Sequence, residues 1–255
     1  LAASIQAVYE YFFLEFVHKM KLIGKSDNLC LGGGCAYNGV ANYKAYKHYN
    51  NIHIPFAPSD AGSAIGACLN NYRGPIKDNV SPYLGNSYTK EEYLDQILAN
   101  SDKVDFIEFT EEKLMNRVAK LLYSDKIVAW FQDRMEFGAR ALGNRSILAS
   151  PYNPKMREKL NLVIKKREGF RPFAPSVIEE DTTKYFLTKD KIPYMNQVVK
   201  VKNGSLNKFP SATHIDGTAR VQSVSKKQNE RYYLLLDAFK RLSGHGVLLN
   251  TSFNL

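Results

Sequence analysis

The 255-residue chain has room for one large domain or two small ones, and 44% hydrophobic against 24% charged residues is the balance of a globular protein rather than a disordered one. No apolar run approaches the roughly 18 residues that would cross a bilayer, so the sequence predicts no membrane segment. The net charge of +10 is concentrated: from Arg134 to Arg171 there are ten Lys or Arg against three Glu. A local cationic block points to an anionic partner, either a phosphate-bearing small molecule or a nucleic acid.

In chain order, Ile5, Val8, Tyr9, Phe12, Phe13, Phe16, Val17 and Met20 follow helical spacing. The chain starts at Leu1 with this helix already under way, and reads as part of a longer protein. "NLCL" is a short strand ending at Gly32, and a helix is expected from about Ala36 to Tyr49. "NIHIPFAP" is a second strand, followed by the helix "SDAGSAIGACLNNY" with Ser59 or Asp60 as its N-cap. Its small residues would admit a close neighbour. "RGPIKDNVSPYLGNSYT" has two prolines, two glycines and no apolar period, which predicts a linker and a domain boundary near residue 85. Beyond it, Thr110 caps a helix with Leu114, Val118, Leu121 and Leu122 inward, and "IVAWF" is a strand. Asn153-Pro154 opens another helix. "YMNQVVKVK" and "GVLLNTSF" are strands, separated by a helix from about Gln228 to Leu242. The first part is α/β in character and the second α+β.

Three cysteines, Cys30, Cys35 and Cys68, fit no zinc spacing and read as reduced thiols in a cytoplasmic protein. The strand, Gly32-Gly33-Gly34 turn and helix could present free backbone N–H groups to a phosphate, although a plain tight turn fits equally. Asp60, at the mouth of a helix, is either an N-cap or a carboxylate ligand for a metal. "DRMEFGARALGNRSILASP" sets Arg134, Arg140 and Arg145 in a glycine-punctuated loop after a strand. "KKREGFRPFAPS" adds Lys165, Lys166, Arg167 and Arg171, and its prolines and phenylalanines exclude a long solvated helix. Cations on a stiff, apolar-backed segment suit bidentate contacts to phosphate or carboxylate. "HIDGTARVQSV" and "LLNTSFN" contribute two further polar clusters, His214, Asp216, Thr218 and Arg220, then Asn250, Thr251, Ser252 and Asn254. No Ser-His-Asp arrangement or carboxylate pair stands out.

Taken together, "LCLGGGCAYNGVAN", "APSDAGSAIGA", "DRMEFGARALGNRSILA", "KKREGFRPFAPSV", "HIDGTARVQSV" and "NTSFN" resemble, in this order and over nearly the whole chain, the O-carbamoyltransferases of the nodulation-protein (NodU/CmcH) type. One departure is Asp133, where that family usually has Gly before the Arg-x-Glu of Arg134 and Glu136; the carboxylate is expected to narrow the loop. The resemblance implies the C-terminal lobe of an actin-like ATPase-type (ASKHA) domain over 1–85, followed by a YrdC-like α/β domain over 86–255. It implies that the second domain makes carbamoyl adenylate from carbamoyl phosphate and ATP, and that the first transfers the carbamoyl group to a hydroxyl of a small acceptor. Carried over by position, Gly33, Gly34 and Asn38 would hold nucleotide, and Asp60 would be one ligand of a divalent metal, iron or magnesium. Its companion His-x-x-x-His ligands would lie before residue 1, in a missing N-terminal lobe. Arg134, Arg145, Lys165 and Arg167 would be catalytic. Arg140, Ser146, Arg171, Asn250 and Ser252 would hold phosphates and carbamoyl. A chain beginning at Leu1 and ending at "NTSFNL" is then expected not to complete the transfer alone. Related carbamoyl transfer to tRNA-linked threonine or in hydrogenase maturation stays open, as does a homodimer. Nucleic-acid binding is less favoured, because the basic block lacks interleaved aromatic stacking platforms.

Overall fold

The fold is described from a computed structural model, over residues 1–75 and 80–254. It is a mixed α/β protein. The N-terminal part has α1 (Ala2–Gly24), β1 (Asn28–Cys30), α2 (Gly39–Lys44), β2 (Asn51–His53) and α3 (Asp60–Asn71). β1 and β2 pair in parallel, Asn28 opposite Asn51 and Cys30 opposite His53. The expected single helix from Ala36 to Tyr49 is broken instead: 3-10 turns at Gly34–Tyr37 and Ala45–Lys47 flank α2. The break comes at Asn38, whose side chain accepts from Ala41 N and caps α2. Among α1's residues only Val17 is fully buried, against Ala45 and Tyr49. Ile5, Val8, Phe12 and Phe16 are more than half exposed, so most of the apolar stripe read from spacing does not face this core. In α3 the small residues do allow a close approach: a Cβ at Gly62 would stand 2.0 Å from the Ala57 carbonyl oxygen.

The expected linker carries no helix or strand in its described residues; its positions 76–79 lie outside them. α4 (Lys90–Ala99) follows, a polar helix opened by the reciprocal Thr89–Glu92 capping box. Then come α5 (Glu111–Tyr123), β3 (Val128–Phe131), β4 (Arg145–Ala149), α6 (Met156–Lys159), β5 (Ala174–Ile178), α7 (Thr182–Tyr185), β6 (Phe186–Leu187), β7 (Val198–Val201), β8 (Thr218–Arg220), β9 (Gln222–Val224), α8 (Glu230–Ser243) and β10 (Val247–Ser252). The main sheet runs β3-β4-β10-β5-β9, antiparallel except for the β5–β9 pair, and β6-β7-β8 form a smaller antiparallel sheet.

Alternation along β10 divides the core. Leu248 joins α5 and α8 on one face with Val118, Leu122, Leu235 and Phe239. Val247 and Leu249 face the other side, with Met156, Leu160, Phe173, Val199 and Phe209. The N-terminal part packs on this second unit. Asn42 Nδ2 donates to Asn196 O at 2.9 Å, Asn196 Nδ2 to Ile54 O at 2.9 Å, and Tyr46 pairs with Asp190. Among the described residues no helix is long and apolar enough to cross a membrane. Cys30, Cys35 and Cys68 are exposed free thiols.

Candidate functional site

Four segments far apart in sequence meet in a cavity of about 350 Å³. The loop before β4 brings Arg140, the segment before β5 brings Arg167 and Arg171, the β8 hairpin brings His214 and Arg220, and the end of β10 brings Asn250, Thr251 and Ser252. No Asp or Glu lines it. Arg171 has a surface partner, its Nε 2.8 Å from Glu168. Arg140 and Arg220 have no ion pair among the described residues, and the Nε of each is buried without a hydrogen-bond partner. Arg140 stacks on Tyr37, 5.3 Å from the ring centre, which joins the cavity rim to the turn after Gly34. Burial, then the charges of Arg140 and Arg167, push the Arg220 guanidinium down to about 10, still cationic at neutral pH. Burial also lowers Arg140 and Arg167, the latter further by Arg171. Like charges gathered without counter-charge are unfavourable in the empty protein and become favourable only with an anion between them.

Each cation is held by local structure. After α6 the helix widens into a π turn over Leu160–Ile164, closed by Lys165 N donating to Leu160 O. That turn buries Asn161, whose Nδ2 donates to Gly169 O at 3.2 Å and Arg171 O at 2.9 Å, while its Oδ1 accepts from Arg167 Nε at 2.8 Å. Arg167 also lies over Phe173. On the other wall, the buried Glu136 carboxylate accepts from Leu142 N, Asn144 N and Arg145 N. Gly143, at φ 108°, passes so close to Tyr232 that a Cβ would stand 2.3 Å from its ring. This folded loop delivers Arg140.

The expected site residues divide. Arg140, Arg167, Arg171, Asn250 and Ser252 line the cavity. Lys165 is one residue removed: its Nζ donates to Ser252 O at 2.6 Å, Ser252 Oγ at 3.1 Å, and Asn254 O and Oδ1 at 2.7 Å. Arg145 lies outside the cavity. Its guanidinium donates to the Gln132, Asn144 and Asp133 carbonyls and sits 3.5 Å from the Phe131 ring centre. Ser146 is fully buried in β4 and accepts from Gly143 N. Arg134 is exposed, beside a separate open cleft with Asp133, Asn144 and Arg231. Asp133 takes φ 42°, a left-handed conformation that glycine adopts more readily, so the backbone keeps the glycine-like turn with a carboxylate on it.

In the N-terminal part, Gly33 has φ 85° and open space around it. Its N–H is not free as expected, because it donates to Pro58 O at 2.6 Å. Gly34 begins a 3-10 turn, and the Asn38 amide is engaged by Ala41 N and by Gln6. Asp60 is exposed at the start of α3. Among the described residues no three His, Cys, Asp or Glu side chains converge, so Asp60 alone does not make a metal centre. Asn161 and Glu136 are not among the site residues expected from the sequence, and Arg220 is marked there only as part of a polar cluster. The glutamate's two-residue offset from Arg134 was the available signal.

Residues 119–255 match the family model described as "Carbamoyltransferase C-terminus", and residues 1–69 match "Carbamoyltransferase N-terminus". The chain belongs to the carbamoyltransferase family. Among similar proteins of this family, "Nodulation protein NolNO" of Sinorhizobium fredii is 37% identical over all of this chain and 39% of its own length. The "3'-hydroxymethylcephem-O-carbamoyltransferase" of Amycolatopsis lactamdurans is 34% identical over 89% of this chain and 42% of its own. An uncharacterised protein of Synechocystis sp. is 38% identical over all of this chain and 46% of its own. The chain therefore spans less than half the length of these carbamoyltransferase relatives.

Proposed function

We propose that the arginine-lined cavity binds carbamoyl phosphate and that the C-terminal part of this carbamoyltransferase converts it, with ATP, to carbamoyl adenylate. The observation that carries this reading is the set Arg140, Arg167, Arg171 and Arg220 around one cavity with no carboxylate in its lining. Carbamoyl phosphate and the triphosphate crowd several negative charges together, and their repulsion must be offset before bond formation. In balanced form, one water splits the donor into carbamate and inorganic phosphate. A carbamate oxygen then attacks the α-phosphorus of ATP, and pyrophosphate departs. The cavity's own residues bind, orient and neutralise; the absence of a nucleophile motif agrees with chemistry that depends on positioning. Lys165, clamped on Ser252 and Asn254, fixes the end of β10 against the cavity. Arg145 and Glu136 hold the loop that presents Arg140.

In this reading residues 1–85 are the C-terminal lobe of an actin-like transfer domain and 86–255 a YrdC-like domain. The parallel β1–β2 pair flanked by helices, seated on the second unit, is consistent with that division. The acceptor in the whole protein is a small molecule with a free hydroxyl, the class of group that the cephem relative's name specifies. Asp60 would contribute a metal ligand only with side chains from outside this chain. The test is ATP–pyrophosphate exchange on the full-length protein with carbamoyl phosphate, repeated with threonine and bicarbonate. Exchange with carbamoyl phosphate alone supports the reading. Exchange only with threonine and bicarbonate overturns it.

A further inference from the structure

The anion cavity lies in the C-terminal part, yet two residues of its wall, Arg140 and Met195, are braced from the N-terminal part.

Arg140 has no ion pair among the described residues, and its Nε is buried without a hydrogen-bond partner. What restricts its guanidinium is the Tyr37 ring, 5.3 Å from the guanidinium carbon to the ring centre. An arginine side chain left to itself spreads over several rotamers, and a ligand that needs one of them binds more weakly by the fraction of molecules that have another. A ring stacked on the guanidinium narrows that spread before the ligand arrives. The contact is made by the ring face alone. The Tyr37 hydroxyl is buried with no hydrogen-bond partner among the described residues, so it fixes nothing.

Met195 is buried in the cavity wall at φ 55°, a left-handed conformation that a non-glycine residue keeps only where its surroundings impose it. Its neighbour Asn196 is held at both ends by the N-terminal part: Asn196 Nδ2 donates to Ile54 O at 2.9 Å, and Asn196 O accepts from Asn42 Nδ2 at 2.9 Å. The same Asn42 nitrogen donates to Ala36 O at 2.7 Å, one residue before Tyr37. One fully buried amide thus ties the backbone that carries Tyr37 to the backbone that carries Met195. Gly39 lets the two chains meet this closely, since a Cβ there would stand 3.2 Å from Val198 N, and Val198 also lines the cavity.

We infer that Tyr37 is a positioning residue for Arg140, and that anion binding in the C-terminal part is thereby coupled to the seating of the N-terminal part upon it. This role rests on the anion-cavity reading above and goes beyond it, because it links the two parts thermodynamically. Such linkage is reciprocal: the factor that the seated ring adds to anion affinity is the factor that the anion adds to the seating of the ring.

The test is isothermal titration of pyrophosphate into the full-length protein. Tyr37→Leu, which keeps apolar bulk and removes the aromatic face, should weaken binding about three- to tenfold. Tyr37→Phe should restore affinity to within about twofold of the unaltered protein, since it keeps the face and loses only an unpartnered hydroxyl. With Arg140→Met already in place, Tyr37→Leu should have almost no further effect, because the ring then has no cation to hold. Hydrogen exchange on the unaltered protein needs no variant to fold: saturating pyrophosphate should slow the amides of residues 36–42 by the same factor of about three to ten. Unchanged affinity in Tyr37→Leu, equal losses in the leucine and phenylalanine variants, a full loss persisting beside Arg140→Met, or unchanged exchange with pyrophosphate bound each overturn this inference and leave the anion cavity standing. Failure of pyrophosphate to bind the unaltered protein overturns the anion cavity, and this inference with it.

Discussion

Arg220→Met separates the two roles that a buried cation can have. Its guanidinium has no carboxylate partner among the described residues, and its surroundings lower it from the usual 12.5 to about 10. At about 1.4 kcal/mol per unit, the charged form is disfavoured by about 3 kcal/mol relative to water. Methionine keeps much of the stem and removes the charge, while imperfect packing returns roughly 1–1.5 kcal/mol. The ligand-free variant should therefore be more stable by about 1–2 kcal/mol, a rise in Tm of roughly 2–8 °C at this chain length. The same change removes a charge-assisted contact to phosphate, about 1.5–3 kcal/mol. Pyrophosphate should bind roughly ten- to a hundredfold more weakly. Thermal denaturation without ligand and titration with pyrophosphate measure the two effects separately. A variant that loses stability and keeps its affinity would refute the reasoning, because Arg220 would then be structural.

Gly143→Ala forces a Cβ against Tyr232 at a backbone angle that alanine resists, and should cost at least about 3 kcal/mol in urea denaturation while weakening pyrophosphate binding through the displaced Arg140 loop. Asn161→Leu strands the Gly169 and Arg171 carbonyls and frees Arg167 Nε; a loss of about 2–4 kcal/mol by urea denaturation and weaker pyrophosphate binding by titration are expected, with Asn161→Asp restoring part of the affinity through its acceptor on Arg167. Burial lowers the His214 pKa, with Asp216 opposing and Arg220 and Arg157 adding to the shift. Its neutral form is thus favoured on folding, so this contribution to stability is full above the ordinary imidazole value of about 6.5 and is lost as pH falls through the lower folded value. Urea denaturation at stepped pH reads that loss directly. Asp133→Gly should be within about 0.5 kcal/mol of the parent in urea denaturation, since the turn already has glycine-like geometry, whereas Asp133→Val should lose about 1–2 kcal/mol.

Helical and strand periodicity in the sequence carries most of the elements, and specific residues explain the rest. α8 and β10 are plain in their spacing. The polar α4 has little apolar periodicity, and its one local signal is the capping box of Thr89 and Glu92. β4 lies in the segment whose glycines and arginines read as a loop, and its apolar run after Arg145 is only Ile147, Leu148 and Ala149. The π turn that carries Asn161 has no distinct local pattern, since it differs from an α-helix only by the extra residue enclosed. For the cavity, sequence shows which residues are cationic but not which way they face. Arg145 and Arg140 are five apart in one loop, yet one is tied to backbone carbonyls and the other is left to face the cavity. Arg220 reaches the same place only through the β7–β8 pairing of Val198 with Arg220, a long-range contact that no local window contains.

The most direct test of the account is diffraction from crystals of the full-length protein grown with phosphonoacetamide, a stable analogue of carbamoyl phosphate. The account predicts the phosphonate in hydrogen-bond contact with Arg140, Arg167 and Arg220. A saturated crystal with the phosphonate bound elsewhere and this cavity holding only solvent would contradict it.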